Sequence, residues 1–325
     1  MNAITSSIPG LIIIGAIVIP AIIYASLGLG ERLFAGFGAK RNSIRPWLWL
    51  LAPLFLVALV LLYPLAESVV LSFFDQTGKN WAGGGNFAWA FSNEMTSVLG
   101  NNLIWLVALP VGTVFLALLA AVLFDRVRYE KLAMTLIILP TAISFTAGSV
   151  IWRDTFSYQP GGATQTGLLN ALWTAIPGNQ PVPWLQAPFV NTLCLIFVAI
   201  WASLGIAALI LSASVKSVPA ELIEAARLDG AGEWRIFLSV TLVHIAPALL
   251  VVVTTSVIFS LKVFDIVYVM TNGNFNTDTI ANREYYELFS ANNLGHASVV
   301  AIILLVAALP IVAINIRQFR KERSA

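Results

Sequence analysis

Residues 102–124 read NLIWLVALPVGTVFLALLAAVLF, a run without one charged side chain. The hydrocarbon core of a bilayer is about 30 Å thick and needs roughly 20 apolar helical residues to cross it. Lipid offers backbone N–H and C=O groups no partners, so such a run must close its hydrogen bonds within itself, as a helix. Membrane-spanning strands alternate in segments of about 10 residues, and this run is continuous. Outward from it, six further stretches pass the same test: 8–29, 47–71, 132–152, 190–214, 247–270 and 296–316. The expected fold is an all-α polytopic membrane protein with about seven transmembrane helices.

Composition agrees. Of 325 residues 58% are hydrophobic and 10% charged, against about 25% charged in an average soluble domain. A net charge of +2 carries no clustered basic footprint, so nucleic acid is not an expected partner. One cysteine excludes a disulfide framework, and two histidines leave no ligand set for a metalloprotease. No metal site is expected.

Charge placement sets the topology. With the N-terminus outside, only Lys79, Arg153 and Arg283 of the 18 lysines and arginines face outward, and Lys262 lies within a span. The rest, from Arg32 to Arg323, face the cytoplasm, as the positive-inside rule requires. The C-terminus is then cytoplasmic. No basic residue precedes the first span, so it reads as a retained helix rather than a signal peptide. The outer connections 72–101 and 153–189 carry Gly83-Gly84-Gly85 and Gly161-Gly162 and read as turns and short surface pieces.

One inner loop, 215–246, has a shape of its own. Ser217 is the expected N-cap, and Pro219 suits a first turn. Glu221 adds negative charge near the helix start. Leu222, Ile223 and Ala226 fall on one side, with Glu221, Glu224 and Arg227 largely elsewhere. Gly230 stands where helices stop in the left-handed conformation, and a second helix is expected from Glu233 to Pro247. Helices that float on lipid carry bulky anchors and a basic face. The small Ala225, Ala226 and Ala231 beside an acidic face favour docking against protein instead.

Glu224-Ala225-Ala226, then Asp229-Gly230-Ala231 and Phe237, resembles the EAA signature of ABC-importer permeases of the carbohydrate-uptake branch. The likeness runs from about residue 47 to the C-terminus. It includes Gly167-Leu168-Leu169-Asn170, Phe264-Asp265 and Thr271-Asn272-Gly273, and departs where Leu242 is followed by Val243 instead of proline. Residues 271–289 look most like permeases for α-glucosides or glucosylglycerol. The resemblance implies an extra N-terminal helix over 1–46 and a six-helix permease core over 47–325, in the bacterial inner membrane. It implies a second, different permease, two cytoplasmic ATPase subunits and an extracytoplasmic sugar-binding protein as partners. Glu221, Glu224, Ala225, Ala226, Asp229, Gly230 and Ala231 would then form a coupling helix and turn gripped by an ATPase. ATP and Mg would belong to that partner. This chain's one Gly-Lys pair, Gly78-Lys79, is followed by Asn80, so it has no phosphate-cradling loop and no catalytic residue is expected.

Ionisable side chains inside a membrane are costly and default to functional candidates. Lys262 and Asp265 lie three apart on the sixth span, where they can share a helix face and pair. The alternative is that Asp265 accepts sugar hydroxyls beside the rings of Phe264 and Tyr268. Asn191, Trp201 and Thr254 are further substrate-path candidates, though each such residue alone is more often packing between helices or lipid-facing bulk than a ligand contact. An ion-coupled secondary transporter of small polar solutes is the rival reading. It would need more midplane acids and would leave the shaped loop unexplained.

Overall fold

The computed structural model describes residues 53–124 and 127–322, together with residues 21, 24, 25, 28, 47, 50 and 51. The expected first span lies outside them but for residues 21, 24, 25 and 28, all helical, and the expected boundary at residue 46 lies outside them too. The chain forms two compact units, Met1–Val70 and Leu71–Ala325. Residues 53–70 of the first unit belong to the apolar helix α1 (Pro53–Leu71), exposed along nearly its whole length and opened into a π turn at Ala58–Leu62.

The second unit contains α2 (Gly85–Trp89), α3 (Asn93–Phe124), α4 (Glu130–Ile138), α5 (Phe145–Thr155), α6 (Leu168–Thr174) and α7 (Val190–Lys216). They are followed by α8 (Ala220–Leu228), α9 (Glu233–His244), α10 (Ala246–Leu261), α11 (Asp265–Met270), α12 (Ile280–Tyr285) and α13 (Leu294–Glu322). Four of the described helices, α1, α3, α7 and α13, are long and apolar enough to cross a bilayer alone, and the count is six when two bent pairs are each one span.

Breaks in the helices correct three expectations. The stretch 132–152 is not one straight span. After α4 a 3₁₀ turn covers Leu139–Ala142, and the chain then bends by 100° into α5. Pro140 has no N–H to continue the helix, Ile143 is extended, and Ser144 restarts the chain by accepting from the Ala147 N–H at 3.2 Å. The stretch 247–270 also breaks. α10 ends at Leu261, residues 262–264 leave the helix, and α11 begins at Asp265. The expected second loop helix stops at His244 instead of Pro247, with a 72° bend into α10. Pro247 lies in the first turn of α10, where its missing N–H costs nothing.

The core lies where α3, α7 and α10 meet. At one end of this bundle it is built from large side chains, with Trp105, Leu109, Leu195, Val198, Ile266 and Val267 almost fully buried. At the other it is built from Ala117, Ala121, Ala207, Ala208, Leu211 and Val252. Lipid removes the hydrophobic drive between helices, so small residues that let backbones approach supply the contact. Gly205 shows how close that approach is: a Cβ there would meet the Ile137 carbonyl oxygen at 2.7 Å.

Candidate functional site

The loop after α7 is built by local rules. The ion pair of Lys216 with Glu130 ties the end of α7 to the start of α4. Ser217 does not cap α8, because its hydroxyl donates back to the Ser214 carbonyl at 2.7 Å. Pro219 takes the N-cap position instead, with φ −57° and ψ 131°. Proline's fixed φ suits that extended entry. At the other end the Ala231 N–H donates to the Ala226 carbonyl and the Gly230 N–H to that of Arg227, both at 3.0 Å. Gly230 has φ +81°. This pairing is the Schellman closure, and its left-handed residue favours glycine.

A side-chain brace crosses the turn. Arg227 Nε and Nη2 both lie 2.9 Å from Glu233 Oε1. That carboxylate, aided by the charge of Glu224, holds the Arg227 guanidinium above its ordinary pKa. Behind the brace lies a cavity of about 400 Å³ lined by Val122, Val215, Ile223, Ile236, Phe237 and Thr241 as well as the two charged residues.

Glu221, Glu224, Ala225, Asp229 and Gly230 are exposed, while Ala226 and Ala231 are half-buried. Ile223 turns towards the cavity, but Leu222, expected beside it, is 48% exposed. Two large apolar side chains were not foreseen on this surface. Leu228 is 89% exposed and Trp234 72% exposed. Nothing in the sequence marked them, since an apolar residue in an amphipathic helix reads by default as facing inward.

The substrate-path candidates scatter. Lys262 is the C-cap of α10, Asp265 opens α11, and they form no ion pair. The helix break between them removes the shared face that three-residue spacing would have given. Asp265 Oδ1 instead accepts from Thr146 Oγ1 on α5 at 3.2 Å. Phe264 stacks on Tyr268 at 5.1 Å between ring centroids, so Phe264, Asp265 and Tyr268 are brought together. Asn191 is fully buried, its amide donating to the Phe275 carbonyl at 2.7 Å and its Oδ1 accepting from the Thr192 N–H. It fastens a loop instead of facing a path. Trp201 is half-buried edge-on to Trp152 at 5.5 Å. Thr254 is half-buried on α10, beside a cavity of about 240 Å³ that Thr255 and Ser256 help to line.

The loop 271–293 carries an unforeseen polar network. Asp278 accepts from Asn282, from Arg283 Nε at 2.8 Å and from the Thr279 N–H. Arg283 also faces Glu287 at 3.6 Å, Glu287 faces His296 Nδ1 at 3.4 Å, and His296 stacks on Trp89 at 3.7 Å. Burial pushes the Asp278 carboxyl above its ordinary pKa despite these partners. Asn101 donates to the carbonyls of Asn276 and Asp278, and Asn102 accepts from the Ile280 N–H at 2.7 Å.

Comparison with known proteins defines the class. Residues 113–320 match the family described as binding-protein-dependent transport system inner membrane component, and the chain belongs to that family. It is 48% identical to the osmoprotective compounds uptake permease protein GgtC of Synechocystis, over 83% of this chain and 97% of that one. It is 39% identical to the alpha-glucoside transport system permease protein AglF of Rhizobium meliloti, over 86% and 84%. The fold matches a chain of a bacterial ABC transporter involved in the import of the acidic polysaccharide alginate. There the TM-score is 0.72 at 22% identity, covering 86% of this chain and 97% of that one.

Proposed function

We propose that this chain is the permease subunit of an ATP-driven importer of neutral carbohydrates of the α-glucoside and osmoprotectant class. It forms the translocation path with a second permease, receives cargo from an extracytoplasmic binding protein and does no chemistry itself. ATP and Mg stay in two cytoplasmic ATPase subunits. The observation that carries this reading is α8, a short helix closed at a glycine turn, braced by Arg227–Glu233 and exposed in Glu221, Glu224 and Leu228. A rigid, exposed lever between two spans is what a motor must grip, because only contacts that differ between two states can shift an equilibrium. The positive-inside charge pattern puts that lever and the C-terminus in the cytoplasm and the N-terminus outside.

Glu224→Arg tests it. In proteoliposomes holding the assembled importer, uptake is expected to fall at least tenfold, with the permease still inserted and its melting temperature unchanged. Wild-type ATP-dependent uptake in that variant would overturn the assigned contact.

A further inference from the structure

The helix break at 262–264 exposes more aromatic surface than a packing contact requires. The rings of Phe264, Tyr268, Tyr285 and Phe289 follow one another, with centroid spacings of 5.1 Å from Phe264 to Tyr285, 5.1 Å from Tyr268 to Tyr285 and 4.8 Å from Tyr285 to Phe289. They come from the break, α11, α12 and the π turn after it. Their exposure is graded: Phe264 and Tyr285 are half-buried, Tyr268 is 39% exposed and Phe289 is 63% exposed. Rings that only glued helices would be buried in the core, as Trp105 is.

Polar groups lie along the edge of the strip. The rings of Tyr268 and Tyr285 meet edge-on, and each carries a phenolic hydroxyl able to donate or accept. Asp265, exposed at the start of α11, spends Oδ1 on Thr146, and its Oδ2 has no hydrogen-bond partner among the described residues. A pyranose ring presents C–H groups on its faces and hydroxyls around its rim. Aromatic faces with a few convergent polar groups at the edge complement that distribution. A carboxylate accepts from two neutral hydroxyls, whereas a sugar bearing its own carboxylate would meet like-charge repulsion here.

We infer that Phe264, Tyr268, Tyr285 and Phe289, edged by Asp265, form a sugar-binding strip on the permease that takes neutral glycosides of more than one ring-sized unit and disfavours uronic acids. The inference rests on the importer reading and assigns Tyr285 and Phe289 to its cargo path.

The test uses the assembled importer in ATP-loaded proteoliposomes with its binding protein, and radiolabelled sucrose, trehalose and maltose as probes. Uptake and binding-protein-stimulated ATP hydrolysis are measured together. Tyr285→Ala and Phe289→Ala should each lower uptake about fivefold, the size of one lost ring contact, with hydrolysis within about twofold of wild type. Tyr285→Phe should keep most uptake. Tyr285→Leu separates a ring contact from mere bulk, since it fills the space without an aromatic face, and should transport as poorly as Tyr285→Ala. Full uptake in both alanine variants, or recovery by leucine, would overturn the strip, as would hydrolysis, melting temperature and uptake falling in step. If the wild-type assembly hydrolyses ATP but moves none of the three sugars, the carbohydrate reading itself fails and the strip with it. If wild type transports and the alanine variants transport equally, only the strip fails.

Discussion

The loops at the two ends of α10 are finished to different degrees. Between α11 and α13 the chain satisfies itself. Asp278, Asn282 and Glu287 are buried, Arg283 bridges two carboxylates, and asparagines on α3 and α7 reach over to hold the backbone. Between α7 and α10 the chain is braced but uncovered. α8 packs chiefly on α9, and its acidic side chains together with Leu222 and Leu228 face outward. Burying a polar group costs free energy unless its hydrogen bonds are replaced, and among the described residues the first loop replaces nearly all of them from within the chain, leaving only the Asn282 Oδ1 without a partner. The second leaves Leu228 and the outer face of Trp234, whose ring stacks on Phe237, open to the surroundings, which suits a surface covered by another protein.

The contrast predicts opposite responses to removing a carboxylate. Asp278→Ala would take from the largely buried Arg283 guanidinium its closer carboxylate, leaving only Glu287 at 3.6 Å, and would strand the Asn282 amide and the Thr279 N–H. Breaking such a pair costs roughly 3 kcal/mol or more, so the detergent-solubilised protein should melt at a clearly lower temperature. Glu224→Ala, on an exposed helix, should change stability by less than about 0.5 kcal/mol yet depress uptake. Equal losses of stability in the two variants would break the comparison.

A finer prediction concerns the brace itself. Both partners of Arg227–Glu233 are more than half exposed, and exposed pairs contribute about 0–1 kcal/mol. Arg227→Glu should therefore barely alter melting while lowering the uptake obtained per ATP hydrolysed. Adding Glu233→Arg should restore that ratio if the brace sets the angle of the lever. If the reversed pair transports no better than Arg227→Glu alone, these two side chains serve the ATPase contact directly and the brace is incidental.

What the sequence disclosed divides along the same line. α3, α7 and α13 were legible because each is one long apolar run whose only demand is to cross lipid. The breaks at 143–144 and 262–264 were not, because the flanking runs stay apolar enough to read as single spans despite Pro140 and Ser144 at the first and Lys262 and Asp265 at the second, and hydropathy records depth without direction. The turn at Gly230 was legible because capping is local. Its entry was misplaced by two residues, since Ser217 found the Ser214 carbonyl and left the cap to Pro219. Asn101, Asn102 and Asn191 act on backbone groups far along the chain, about 80 to 180 residues away. No spacing rule reaches that far, so Asn191 read as a path residue and Asn102 as the unremarkable start of a span.

The smallest expected effect lies in the loop before α2. Asp75 Oδ1 accepts from the Thr77 N–H and hydroxyl at 3.0 and 2.7 Å and from the Lys79 N–H at 3.1 Å, and Oδ2 accepts from Asn80 at 2.7 Å. These donors, Asn80 and Thr77 foremost, hold its carboxyl well below the ordinary value of 3.8. A folded pKa lower than the unfolded one contributes stability that is present above the unfolded value and lost as pH falls towards the folded one. The loop should therefore be indifferent to pH from 8 to about 5 and loosen only below about 4. Hydrogen exchange of a peptide covering residues 71–82, corrected for intrinsic rates, should show protection declining in that acid window. Asp75→Asn keeps the shape but removes the charge, and should show weaker protection at every pH with no such decline. The Gln76 carbonyl accepts from the Leu294 N–H at 3.0 Å, so loosening here should carry to the first turn of α13 and leave α8 unchanged. Exchange that rose in α8 over the same window would show that the self-satisfied end and the uncovered end of the bundle do not respond independently.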